Sequence, residues 1–375
     1  MIIVAALIGL FLVVVGQRYY IKRSFSENKW NENLEAEMWF DDKEINEGEE
    51  SSMTIKITNR KFMPLPSVLF KFKIGKGISL IDNENSFVSD NVYVRHVFTL
   101  MSYQRVTRKS RFTGSKRGYY PVESLDVIAY DLMFLSSEMI TMPCDISIYV
   151  FPARSEYSES LKIPFRQIVG QTLINSTMYE DPFEFRGIRE YQTYDNIKKI
   201  NWNASAKTGE LKVNQYFDTT KQSAVILLNL EKARCYGEDA LQEESIRMAR
   251  TLLEWFSAKG ISTCVYTNAR DVITGKEVHL DFGAGNAFIT NALRTLARIN
   301  LNCEIRAFSE IAAEHDDDVN SVYVMISANT LDSTKNVFNE LSGKLSYTRW
   351  IVPCTRFFEK FESEGDISFV EVDVI

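Results

Sequence analysis

The first sixteen residues, MIIVAALIGLFLVVVG, are uninterrupted apolar sequence, and QRYYIKR follows them. With Tyr19, Tyr20 and Ile21 counted as an interfacial belt, the span reaches about 20 residues, enough to cross a hydrocarbon core of roughly 30 Å. A cleaved leader would begin with positive charge and end at a small-x-small site. Here Arg18, Lys22 and Arg23 come after the apolar run. Residues 1–23 are therefore predicted to be a single transmembrane anchor, with the N-terminus outside and the bulk of the chain cytoplasmic.

From 34 to 152 the hydrophobic period drops to two. SSMTIKITNR, SVLFKFKIG, DNVYVRHVFTL and DISIYVFP alternate between apolar and polar positions. Turn formers separate them, including Asn59-Arg60, Pro64, Gly75, Gly77 and Asp82-Asn83. Short alternating strands at this spacing predict an all-β, sandwich-like domain. A linking segment, 153–222, follows. Within it FRGIREYQTY reads as loop around Gly187. DNIKKINWNASAKTG reads as a short amphipathic helix capped by Asp195 and stopped by Gly209, and ELKVNQYF reads as a strand.

From 223 to 375 strand and helix patterns alternate. SAVILLNL, ISTCVYTNA, SVYVMISAN, TRWIVPC and ISFVEVDVI read as strands, and the long helix EDALQEESIRMARTLLEWFSAKG follows the first of them. RDVITGKEVHLDFG reads as a hairpin turning at Thr274-Gly275. NAFITNALRTLARI and TLDSTKNVFNELSG read as further helices. Such alternation predicts an α/β domain on a mostly parallel sheet. Ligands of such sheets sit at the carboxyl ends of the strands, here first at Asn229 to Arg234. Neither a G-x-G-x-x-G nor a Walker-type loop is present, so nucleotide binding is not supported.

Composition narrows the chemistry. A net charge of -7 does not suggest nucleic-acid binding. The five cysteines are scattered without metal spacing, and the odd number suits a reducing compartment. Cys264 and Cys354 fall in strand-like runs and read as buried small hydrophobes. The three histidines stand apart, which leaves little basis for a His metal site or a Ser-His-Asp triad. One basic run, RVTRKSRFTGSKRGYYP, reads either as a solvated strand face, the preferred reading, or as a contact for an anionic lipid leaflet. In the linking segment Arg186 and Arg189 offer planar forks for carboxylate or phosphate. Glu190 and Asp195 are candidate partners, and Tyr191, Tyr194 and Trp202 candidate covers. This constellation reads as an internal ion-pair and aromatic network fixing a joint, or as a docking site.

The same residues carry a family resemblance. Phe185, Arg186, Gly187, Arg189, Glu190, Tyr191, Asp195, Ile200, Trp202, Ala204, Ser205, Ala206, Lys207 and Gly209 resemble the signature of the bacterial and archaeal domain of unknown function fifty-eight family. RGYYP, with Asp131, Leu132 and Phe134, resembles two further elements of that family. The resemblance implies a von Willebrand factor A-like (Rossmann-like) C-terminal domain and association with MoxR-type AAA+ ATPases. It also marks Arg186, Arg189, Glu190, Tyr191, Asp195, Trp202, Ser205 and Lys207 as the partner-binding or structural motif. An A-domain metal site uses D-x-S-x-S after the first strand. Here those positions hold Asn229, Glu231 and Ala233, too few hard oxygens for Mg²⁺, so no metal or other cofactor is expected. The resulting expectation is a membrane-anchored cytoplasmic adaptor that binds a MoxR-type ATPase in envelope protein assembly or remodelling. The alternatives are a hydrolase-type enzyme using Glu190 or Asp195 near Arg189, and a purely structural envelope scaffold.

Overall fold

The computed structural model describes the chain apart from residues 1–8, 20–22, 24–29, 82–85, 132–133, 135–136, 176–179, 193–196, 198–199, 219–222, 233–234, 315–320, 346, 363–364 and 374–375. Residues 9–19 are helical and exposed. No helix among the described residues is long and apolar enough to cross a membrane. The single-pass anchor over 1–23 is corrected accordingly, together with the cell-membrane, cytoplasm-facing placement that rested on it. Residues 1–8 and 20–22 of that expectation lie outside the described residues.

The chain divides into two compact units, residues 1–153 with 293–299 and residues 154–292 with 300–375. The first is built from β1 (Leu34–Phe40), β2 (Glu44–Asn46), β3 (Glu50–Asn59), β4 (Leu65–Ile74), β5 (Ile78–Leu80), β6 (Ser86–Val88), β7 (Val92–Leu100), β8 (Arg105–Gly114), β9 (Gly118–Tyr130) and β10 (Ser137–Phe151). They form two sheets, β1-β3-β8-β5 and β2-β10-β9-β4-β7-β6. The alternation in VYVRHVFTL becomes a strict buried–exposed alternation along β7. The inward sets of both sheets merge into one core, so this unit is a β-sandwich. Phe70 anchors it, edge-on to Phe98 at 6.3 Å and to Phe72 at 6.4 Å.

The RGYYP stretch is structural. Arg117 is buried and donates to the carbonyls of Leu296 and Ile299 at 3.2 and 3.0 Å. The Tyr120 ring covers Gly77, where a Cβ would collide with the phenol oxygen. The Tyr120 hydroxyl donates to the Lys116 carbonyl at 2.9 Å.

The second unit contains α1 (Ser158–Asn175), β11 (Glu180–Glu190), α2 (Trp202–Thr208), β12 (Lys212–Asp218), β13 (Ser223–Asn229), α3 (Glu238–Ala258), β14 (Ser262–Asp271), β15 (Glu277–Gly283), α4 (Asn286–Ala297), β16 (Ile299–Asn300), α5 (Phe308–Glu314), β17 (Val322–Ser327), α6 (Asp332–Lys344), β18 (Thr348–Cys354) and β19 (Asp366–Glu371). The boundary between the units runs through α4 and β16, so the last turn of α4 and the start of β16 belong with the first unit. β11 and β12 form a two-stranded sheet of their own. The seven-stranded sheet has the order β15-β14-β13-β17-β18-β19, with β16 on β14. Pairing is parallel from β14 to β19 and antiparallel at the β15 edge. Gly275, at φ 67°, turns the β14–β15 hairpin. α3 buries Leu241, Ile246, Ala249, Leu252 and Phe256, and Phe165 of α1 meets Phe256 edge-on at 5.8 Å. Cys264 is fully buried, and burial pushes its thiol up to about 12.

The composite fold class read from the sequence is corrected. The chain is dominated by strand, and it lacks a membrane-capable helix among the described residues. The von Willebrand factor A-like (Rossmann-like) assignment of the C-terminal domain is not carried over. The sheet carries an antiparallel strand at the β15 edge, and a network of buried amides occupies the carboxyl ends of its parallel strands.

Candidate functional site

The signature stretch folds into a β11–α2–β12 module. FRGIREYQTY, expected as loop, is strand through Glu190. Ile188 pairs with Asn214, Arg189 with Val213 and Glu190 with Lys212. The helix begins at Trp202, not near Asp195, and Asn201 is its cap. The Asn201 Oδ1 accepts from the Ala204 N–H at 3.0 Å, and its Nδ2 donates to the Asn214 Oδ1 at 2.7 Å. The Ser205 hydroxyl is buried, donates to the Asn201 carbonyl at 2.8 Å and accepts from the Lys212 N–H at 2.9 Å. Gly209, at φ 76°, closes the helix by donating to the Ser205 carbonyl. One serine thus joins the cap of α2 to the start of β12.

The expected site residues are only partly gathered here. Arg189 is half-buried and donates to the Glu190 carbonyl at 3.0 Å. Glu190 is exposed and pairs with the Lys212 Nζ at 3.3 Å. Lys212 also meets Glu210 at 3.2 Å, and these two carboxylates raise its pKa, Glu210 foremost. The Tyr191 N–H donates to the Leu211 carbonyl at 2.9 Å. Lys207 is exposed in the last turn of α2. Trp202 is 64% exposed. Arg186 lies in β11, but its side chain and the whole of Asp195 fall outside the described residues.

A second cluster lies at the carboxyl ends of the parallel strands, where the order reverses between β13 and β17. Asn229, 1% exposed, is its hub. The Asn229 Nδ2 donates to the Ser327 Oγ at 3.1 Å. Its Oδ1 accepts from the Asn268 Nδ2 at 2.8 Å and from the Glu231 N–H at 3.0 Å. The Glu231 carboxylate accepts from the Phe308 N–H at 3.1 Å and from the Asn329 Nδ2 at 3.0 Å. The Glu231 carboxylate is thus held by one backbone and one side-chain amide donor. Ala233, the third degenerate metal position, lies outside the described residues. Among the described residues no group of three or more His, Cys, Asp or Glu could hold a metal ion. Sequence reasoning misses Asn268, Ser327 and Asn329 as members of this cluster. Each ends an apolar strand run, and that is the one signal they carry.

A third feature sits inside the β-sandwich, where β5, β7 and β8 enclose a cavity of about 320 Å³. Leu80, Val94 and His96 line it, together with Arg108, Lys109, Ser110 and Arg111 of β8. His96 is 5% exposed, and neither ring nitrogen has a hydrogen-bond partner. Arg108 lies over the Phe98 ring at 4.9 Å. Burial, with the Arg108 charge second, lowers the His96 pKa to about 4, so the ring is neutral at pH 7.

This depression has a sign that can be tested. Above pH 6.5 the ring is neutral in both the folded and the unfolded chain. Between pH 6.5 and about 4 the unfolded chain takes up a proton that the folded chain does not, so stability falls as pH falls. The charged groups facing the ring are the cations of β8, Arg108, Lys109 and Arg111. The full shift corresponds to at most about 3 kcal/mol, and solvent at the cavity mouth reduces it to about 1–2 kcal/mol. Denaturation of wild type at pH 7 and pH 4.5 should show this loss, and His96→Phe should remove that part of the pH slope. Asp41, lowered chiefly by Lys109 and then Ser52, loses its contribution only below pH 3.8, outside this window.

Comparison with known proteins adds little. No protein-family model and no curated protein matches the chain. A CARDB domain from Pyrococcus furiosus, solved in complex with di-metal ions, is 11% identical over 31% of this chain and 91% of that one, with a TM-score of 0.21. A non-cellulosomal cohesin from Archaeoglobus fulgidus is 12% identical over 29% of this chain and 90% of its own, at 0.20. Alpha-2-macroglobulin from Escherichia coli is 14% identical over 32% of this chain and 23% of its own, at 0.25. At these scores the likenesses carry no argument about function.

Proposed function

We propose that the chain is a non-catalytic, protein-binding adaptor and that the β11–α2–β12 module is its docking element. One observation carries the reading. Four large apolar side chains of this module are open to solvent: Ile188 at 46%, Ile197 at 67%, Trp202 at 64% and Leu211 at 46%. They project from a scaffold whose own polar groups are internally bonded through Asn201, Ser205 and Asn214. A rigid scaffold presenting a tryptophan suits a binding anchor, because exposed aromatics on preorganised surfaces carry a large share of interface energy. The resemblance of the stretch to the domain of unknown function fifty-eight signature supplies the partner class, a MoxR-type AAA+ ATPase. The hydrolase alternative relies on Glu190, which is exposed and paired with Lys212.

The test is crosslinking and affinity capture of the tagged full chain, with identification of the partner by mass spectrometry. Wild type should recover an AAA+ ATPase, and Trp202→Ala should reduce that recovery about tenfold, the effect of losing roughly 1.4 kcal/mol at an interface. Trp202 is exposed, so its removal should leave the melting temperature within the range of a surface substitution, roughly ±0.5 kcal/mol. Equal recovery by both proteins would refute docking through this module. An Arg189→Ala variant with a lowered melting temperature and intact recovery would make Arg189 part of a structural joint.

A further inference from the structure

We infer that the cavity enclosed by β5, β7 and β8 is a binding site for a small oxyanion that also bears a hydroxyl group. The interior of a sandwich is normally apolar at every inward position. Along β7 the inward set is Val92, Val94, His96, Phe98 and Leu100. A phenylalanine at 96 would continue that pattern, yet a histidine with two unbonded nitrogens stands there. Buried polar groups are nearly always partnered, and an orphan that points into a cavity calls for a missing partner.

Four further polar residues line the same space, Arg108, Lys109, Ser110 and Arg111. Ser110 is buried in β8 and lines the cavity. Arg108, also lining it, rests on the Phe98 ring and has no carboxylate partner among the described residues. Its neighbour Lys109 does have one, Asp41 at 2.6 Å. The basic run is thereby divided. Lys109 also lines the cavity but is paired with Asp41, just beyond β1, whereas Arg108 has no such ion pair among the described residues.

The ligand chemistry follows from these donors. A guanidinium matches two acceptor oxygens of one anion. The serine hydroxyl adds a third donor. A neutral imidazole has one N–H and one lone pair, so it can donate to an oxygen and accept from a hydroxyl. A hydrogen phosphate or a hydroxy acid satisfies all of these, and a cavity of about 320 Å³ is at the small end of ligand sites. The site belongs to the first unit and does not depend on the docking reading of the second.

The experiment is calorimetric titration of the full chain with inorganic phosphate, which keeps one P–OH group at neutral pH. Parallel titrations use sulfate, which has no hydroxyl there. Saturable one-to-one binding of phosphate is expected, with sulfate about tenfold weaker. Arg108→Gln should weaken phosphate at least tenfold. Arg105→Gln, a cation of the same strand that does not line the cavity, should leave it unchanged. A readout that needs no variant is the His96 ring resonance in wild type, which should move on phosphate addition with the same dissociation constant. The proposal is overturned if phosphate does not saturate at millimolar concentration or if the His96 resonance stays fixed during binding. Equal weakening by the two arginine variants overturns it as well, since binding is then diffuse attraction to a basic strand. Sulfate binding as tight as phosphate binding would overturn the hydroxyl requirement and with it the role of His96.

Discussion

Replacing Asn229 by Leu is expected to destabilise the second unit by about 3 kcal/mol or more, read as the midpoint shift of its denaturation transition. The side chain is almost fully buried, and leucine has a similar volume, so cavity formation contributes little. The cost comes from the partners left behind. The Glu231 N–H loses its acceptor and the Ser327 hydroxyl loses a donor. Asn268 keeps its bond to the Arg306 carbonyl but loses the Asn229 oxygen that fixes its amide, and the Leu230 N–H in turn depends on that amide. Asn229→Asp distinguishes a structural plug from a weakened ion site. It keeps the acceptor but turns the Nδ2, now 3.4 Å from the Glu231 Oε2, into a second carboxylate oxygen. That variant should also be destabilised, and millimolar Mg²⁺ should restore it, whereas Mg²⁺ should not shift the melting of wild type. A wild-type shift with Mg²⁺ would mean that the network opens to take an ion.

The legible parts of the fold are those that depend on local periodicity and special backbone angles. VYVRHVFTL shows its strand and its inward face directly, because the buried face of a sandwich enforces a period of two. Gly209 and Gly275 mark a helix end and a hairpin turn because only glycine takes those φ values at little cost. α1 is hidden because Pro164 lies inside it, which a sequence reading takes as a break. β11 is hidden because its charged residues mask its strand character, and its pairing with β12 is long-range. Asp195 and Asn201 are both good helix caps. The backbone bond from Asn201 to Lys212 at 2.8 Å, a tertiary contact, favours the second. The candidate sites are less legible still. His96 and Arg108 are twelve positions apart and meet only because β7 and β8 belong to facing sheets. The basic run therefore reads as one solvated face, although Arg117 is buried and Arg108 faces a cavity.

Trp350→Ala is expected to cost the second unit about 3–5 kcal/mol, the range for truncating a large aromatic in a tightly packed core. Trp350 is fully buried at the centre of a cluster with Val225, Tyr323, Phe338 and Val352. Its ring lies 5.3 Å from that of Phe338 and 5.5 Å from that of Phe361. The indole N–H also donates to the Ser327 carbonyl at 3.2 Å, at the end of β17. Trp350→Phe keeps most of the packing and removes that bond, so it should cost only about 1–2 kcal/mol. Denaturation by urea separates the two variants, and a loss below about 1 kcal/mol for alanine would place the ring outside the core. Ser327 meets both Trp350, through its carbonyl, and Asn229, through its hydroxyl. The double variant Asn229→Leu with Trp350→Ala should therefore be less destabilised than the sum of the singles, because the second change removes contacts that the first has already loosened. Strict additivity would show instead that the core under β18 and the polar strand ends hold independently, and the strand ends could then be altered by a ligand without disturbing the sheet.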